Sequence, residues 1–127
     1  ALFGKELAHQ HLTKLHVVAS MHERKQLMYS LSDGFMALPG GLGTFDELCE
    51  VLTWGQLGLH HKPCGLLNIG GFYDPLLGLL DISVKEGFLQ EESRNLLITH
   101  SVSKHLIQLM NQYKPPQLAK WITNEET

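Results

Sequence analysis

Short runs of apolar, often β-branched residues alternate along this chain with longer stretches whose apolar positions return every three or four residues. Residues 15–19 (Leu-His-Val-Val-Ala) form the first short run and predict a strand, and residues 21–31 behind them have helical spacing. Residues 34–38 (Gly-Phe-Met-Ala-Leu) predict a second strand, closed by Pro39-Gly40-Gly41 and followed by a helix over residues 44 to about 58. Residues 65–69 predict a third strand ending in Gly70-Gly71, with a helix over about 73–86 after it. A short fourth strand is expected over 95–99 and a helix over 101 to about 113, which Pro115-Pro116 stops. Short strands alternating with helices imply right-handed crossovers, hence an α/β fold with a parallel sheet flanked by helices on both faces. In such sheets ligands bind beyond the carboxyl ends of the strands, where loops run into helix N-termini.

At 127 residues the chain is expected to form one domain over 1–113, with a polar C-terminal tail over 114–127. Ten Lys and Arg against thirteen Asp and Glu give a net charge of -3, which removes the broad cationic surface of a nucleic-acid binder. Any anion must be bound locally. Two cysteines, Cys49 and Cys64, are too few for a disulfide scaffold, so a reducing, cytoplasmic setting is expected. No apolar run nears the roughly 18 residues of a membrane span. Eight histidines include no H-E-x-x-H, and no metal site is expected; His60-His61 reads as a solvated loop.

Leu38-Pro39-Gly40-Gly41-Leu42-Gly43-Thr44 joins a buried strand to a helix. Glycines there let the backbone take positive φ and approach a ligand closely, while free amides of the next turn point outward as an anion cradle. A tight turn that simply needs glycine is the competing account. No Lys follows as in a Walker A loop, and the third glycine of G-x-G-x-x-G is missing.

On a helical wheel Phe45, Leu48, Val51, Leu52 and Gly55 form a core stripe, and Glu47, Glu50 and Trp54 share an adjacent flank. Asp46 and Glu47, in the first turn of this helix, favour the helix dipole by about 0.3–1 kcal/mol each, which is the plain explanation for them. Beside a phosphate cradle, however, an acidic group repels phosphate. It is useful there if it contacts ribose or acts on a water, because an oxocarbenium-like transition state gains from nearby negative charge. Glu47 is the better placed of the two. Trp54 fits a purine neighbour, a core position or a dimer interface.

Ser20-Met21-His22-Glu23 has the S-x-x-E form of a capping box. Arg24 and Lys25 follow, cations near the positive end of a helix dipole. The wheel places Arg24 beside Leu27, Met28 and Leu31 on the expected core-facing stripe, where a guanidinium needs an anion such as Glu47 or a ligand phosphate. A snorkelling Arg that covers apolar surface is the alternative.

Met21-His22-Glu23-Arg24-Lys25, Pro39-Gly40-Gly41-Leu42-Gly43-Thr44-Phe45-Asp46-Glu47 and Thr53-Trp54-Gly55-Gln56-Leu57-Gly58 together resemble the LONELY GUY family. Its members are cytokinin riboside 5'-monophosphate phosphoribohydrolases, long labelled lysine decarboxylases. The similarity runs from about residue 6 to 113, and the M-H-x-R-K and P-G-G-x-G-T-x-x-E pair at this separation is highly specific. The resemblance implies a Rossmann-like homodimer that cleaves the N-glycosidic bond of an adenosine-type 5'-monophosphate without a cofactor. It implies Arg24 and Glu47 as the catalytic pair, with Glu6, Lys25, Gly40, Gly41, Leu42, Gly43, Thr44, Phe45, Asp46 and Thr53 binding substrate. Family members begin with a strand and a Gly-rich loop to which nothing here corresponds, so an N-terminal part is expected to be missing. A non-catalytic nucleotide or cofactor carrier of the same fold is the alternative, and a pure binder would tolerate Gln at position 47. A decarboxylase would need pyridoxal phosphate on a lysine, and nothing around Lys25 or Lys62 resembles such a site.

Overall fold

The structure, a computed structural model, describes residues 16–116. The chain divides into two compact units, residues 1–32 and 33–127.

The first unit contributes α1, Met21–Leu31, at the bounds its spacing predicts. Ser20 Oγ accepts the N–H of Glu23 at 3.1 Å. The Glu23 carboxylate accepts the N–H of Ala19 at 3.2 Å, one residue before the cap rather than on it. This reciprocal cap is worth about 1 kcal/mol. The expected strand at 15–19 is not found over its described residues, 16–19, and Val17 is exposed. A β-branched run supplies preference, but a strand exists only through a hydrogen-bonded neighbour. The expected stripe through Arg24, Leu27, Met28 and Leu31 also fails: Tyr29 is buried, Lys25 and Leu27 are half-buried, and Arg24, Met28 and Leu31 are exposed. Leu27, Met28 and Tyr29 are consecutive and span more than half the helix circumference, so periodicity cannot select one face.

The second unit is built on a parallel sheet of β1 (Phe35–Ala37), β2 (Cys64–Leu67) and β3 (Leu97–His100) in the order β1-β2-β3. Its helices are α2 (Leu42–Gln56), α3 (Asp74–Lys85), α4 (Glu91–Arg94) and α5 (Ser103–Asn111). The short α4 has too few residues for periodicity to reveal it. Register pairs Ala37 with Leu66 and Leu66 with Thr99, placing these side chains on one face. On that face Leu48 of α2, Leu66, Tyr73 and Leu97 form the core, joined by Phe45, Leu52, Leu76, Leu77 and Leu80. The stripe expected on α2 is thus the stripe observed.

The opposite face belongs to α5. A Cβ built on Gly65 would lie 2.6 Å from Met110 Sδ and 3.2 Å from Leu106 Cδ1, so any side chain there must displace Met110. Leu66 and Leu106 are fully buried; each such side chain stabilises the fold by about 1.5–3 kcal/mol. The α/β architecture with helices on both faces therefore stands. No helix among the described residues is long and apolar enough to cross a membrane.

Candidate active site at the glycine junction

The carboxyl ends of β1 and β2 release two loops, residues 38–41 and 68–73. The first leads into α2, which begins at Leu42 rather than at the expected Thr44. Gly41 is its N-cap and supplies no side-chain hydrogen bond, and the ladder starts with Phe45 N–H to Gly41 O at 3.1 Å. The amides of Leu42, Gly43 and Thr44 precede that first bond and point out of the helix end, where backbone dipoles favour an anion.

The glycines here do not serve positive φ, as expected from sequence; Gly41 has φ -109°. Positive φ occurs instead at Gly58, Gly70, Gly71 and Gly87. What Gly40, Gly41 and Gly43 supply is space. A Cβ on Gly40 would collide with Thr44 Oγ1, which folds back over the loop, whereas nothing lies within 4 Å of a Cβ on Gly41 or Gly43. Open space above free amides is room for a ligand.

Because α2 starts two residues early, Asp46 and Glu47 lie in its second turn, and no acidic residue is in the first. Dipole stabilisation, which fades beyond the first turn, does not account for them. Glu47 is exposed and stands four residues after Gly43, on the same face of the helix. Helical side chains lean toward the N-terminus, which directs this carboxylate toward the space Gly43 leaves open. Leu42 is 84% exposed at the helix start, and Phe45 turns inward against Tyr73.

Thr53 does not join this group. It lies three turns farther along α2, roughly 16 Å from Leu42 at 1.5 Å per residue. Its hydroxyl donates to Cys49 O at 2.7 Å, and it lines a groove with Leu52, Gln56, Leu80 and Arg94. Arg24 and Lys25 belong to the first compact unit and Glu47 to the second; Arg24 Nη1 contacts Met21 Sδ at 3.9 Å. Glu6 lies outside the described residues.

The loop after β2 carries residues that sequence reasoning did not single out. Tyr73, 1% exposed, donates its phenolic hydrogen to Leu38 O, and its backbone N–H donates to Asn68 Oδ1 at 2.8 Å. Asn68 Nδ2 donates in turn to Asp74 Oδ1 at 2.8 Å. The positive φ of Gly70 and Gly71 turns the chain between them. Burial raises the Tyr73 pKa, keeping the phenol a donor. The only signal in the sequence was the Asn-x-Gly-Gly run after a strand, which reads as an ordinary turn.

A cavity of about 530 Å³ opens at the other end of the sheet, lined by His60, His61, Lys62, Cys64 and Tyr113 among others. Both ring nitrogens of His60 serve the backbone, Nε2 with Val51 O at 2.8 Å and Nδ1 accepting Lys62 N–H at 3.0 Å. His60 is thus a half-buried brace, not a solvated loop residue; His61 is exposed. Burial pushes the Cys64 thiol up to about 12, leaving it inert as a nucleophile. No group of three or more His, Cys, Asp or Glu able to hold a metal occurs among the described residues.

Fold and site together define an α/β protein with an open helix N-terminus at the carboxyl edge of a parallel sheet. Residues 1–110 match the family described as possible lysine decarboxylase, and the chain belongs to it. It is 44% identical over 115 residues to cytokinin riboside 5'-monophosphate phosphoribohydrolase LOG of Oryza sativa subsp. japonica, covering 91% of this chain and 48% of that protein. To LOG4 of Arabidopsis thaliana, of the same printed activity, identity is 45% over 114 residues, covering 90% and 53%. The probable phosphoribohydrolase LOGL1 of Oryza sativa subsp. japonica is 45% identical over 113 residues, covering 89% and 51%. The resemblance carried by the two motifs therefore holds, and the chain spans about half the length of the curated relatives it matches.

Proposed function

We propose that the protein hydrolyses the N-glycosidic bond of adenosine-type nucleoside 5'-monophosphates, N6-modified cytokinin nucleotides included, to free base and ribose 5-phosphate. The observation that carries this is Glu47 standing one turn behind the open face of Gly43. The amides at the start of α2 hold the phosphate, with Gly40, Gly41, Leu42, Gly43 and Thr44 shaping the cradle. The Glu47 carboxylate then faces the ribose, where it stabilises positive charge as the C1'–N bond breaks or takes a proton from the attacking water. The water oxygen bonds to C1' and the base leaves with a proton. By the family resemblance Arg24 is the second catalytic residue, and Lys25, Phe45, Asp46 and Glu6 add substrate contacts. Thr53 is too far along α2 to reach the same cradle, so its contact belongs to a site shared with a second copy in a homodimer. The free thiols Cys49 and Cys64 support a reducing, cytosolic setting.

The test is to incubate the full-length gene product with AMP and with isopentenyladenosine monophosphate and separate the products by chromatography. Free base with ribose 5-phosphate is expected, and the ratio of the two rates names the better substrate. Nucleotide that is bound but recovered intact would replace the hydrolase with a non-catalytic carrier.

A further inference from the structure

We infer that Tyr73 is a positioning residue that sets the register of the phosphate-binding glycine loop, an inference resting on the nucleotide monophosphate as ligand. The loop between Leu38 and Phe45 has little to hold it from within. Its N-cap glycine donates no side-chain bond, and Gly41 and Gly43 face open space. Tyr73 touches both of its ends. The phenol donates to the carbonyl of Leu38, where the loop leaves β1. The ring meets Phe45 edge-on at 6.3 Å between centroids, where the loop has become α2.

Tyr73 is itself fixed from behind. Its N–H is held by Asn68 at the end of β2, and Asn68 is held by Asp74 in the first turn of α3. A chain of hydrogen bonds thus runs from α3 through the second loop into the stem of the first. The ring alone would suffice for packing, since Leu48, Leu66 and Leu97 surround it as an apolar core. The hydroxyl has one partner of consequence, a carbonyl at the stem of the loop. Its removal frees that stem while leaving the core filled, so the cost falls on phosphate binding rather than on the fold.

The experiment compares wild type and Tyr73→Phe in the full-length gene product, with AMP as substrate and adenosine as competitive inhibitor. Expected is a KM for AMP raised about fivefold, the loss of one ordinary hydrogen bond's worth of positioning, with adenosine inhibition unchanged. Asn68→Ala, which leaves the phenol in place but releases its backbone anchor, should raise the AMP KM in the same direction. An unchanged KM in both variants overturns the inference, as does an equal loss of AMP and adenosine affinity. Should wild type cleave no AMP, the hydrolase reading fails on its own, and calorimetry with AMP then decides: about fivefold weaker binding by Tyr73→Phe upholds the positioning role, and equal binding, or no binding by wild type, overturns it.

Discussion

Gly40 and Gly43 stand three residues apart and are required for different reasons, which substitution separates. At Gly40 an added methyl meets Thr44 Oγ1, so Gly40→Ala should lower stability by about 1–2 kcal/mol, and Thr44→Ala should relieve most of that cost. At Gly43 the space is empty and the position is helical, so Gly43→Ala should leave the unfolding free energy measured in urea unchanged or raised by up to about 1 kcal/mol. Its damage should appear in kinetics, as a raised KM for nucleotide monophosphate. Equal destabilisation by both alanines would contradict the distinction. None of this was legible in the sequence, which identified the glycines but not whether they answer to φ, to a neighbouring side chain or to a ligand. Glycine is compatible with all three, and only the coordinates of Thr44 and the φ of Gly41 choose.

Among the longer helices, the buried face of α2 was the most legible and that of α1 the least. Phe45, Leu48, Val51, Leu52 and Gly55 recur at the helical period with polar residues between them, so one face alone satisfies the pattern, and Leu48, Val51 and Gly55 are buried as expected. In α1 the apolar residues crowd the C-terminal half on adjacent positions, and Arg24 consequently turned out exposed. The start of α2 lies two residues before the expected Thr44 because the glycines on either side of Leu42 hide the helix signal, and those two residues put Glu47 beyond the reach of the dipole. Packing of α5 makes a further prediction. Gly65→Val should cost about 1–3 kcal/mol in urea denaturation, because its side chain must displace Leu106 and Met110, whereas Gly65→Ala should cost less as the Met110 thioether swings aside. No effect from Val would show that α5 does not seat against β2 as described.

On the scale of the whole molecule, stability should have an alkaline limit set by buried acids. The Cys64 thiol is raised from 9.0 to about 12 by desolvation, and Tyr73 and Tyr113 are raised in the same direction. A raised pKa means that the unfolded chain ionises first. The stabilisation is complete below about pH 9 and is lost progressively as pH rises toward 12. Urea midpoints should fall across that range, and Cys64→Ala should flatten the fall; an unchanged slope in that variant would assign the limit to other groups. The parallel sheet, its flanking helices and the family were all readable from the alternation of short apolar runs with amphipathic stretches and from two motifs. The hydrogen-bond chain through Asn68 and Tyr73 was not, because it joins residues 35 positions apart through a backbone carbonyl that no sequence pattern marks.

The proposed hydrolysis assigns Glu47 to act on the glycosidic bond rather than to decorate a helix. The most direct test measures, in the full-length gene product, AMP turnover and AMP affinity for wild type and Glu47→Gln side by side. Turnover reduced by about 100-fold or more with affinity within a few-fold of wild type is the predicted result, since the amide keeps the shape and removes the charge and the base. Base release by Glu47→Gln at the wild-type rate would contradict the assignment and move the chemistry to another residue.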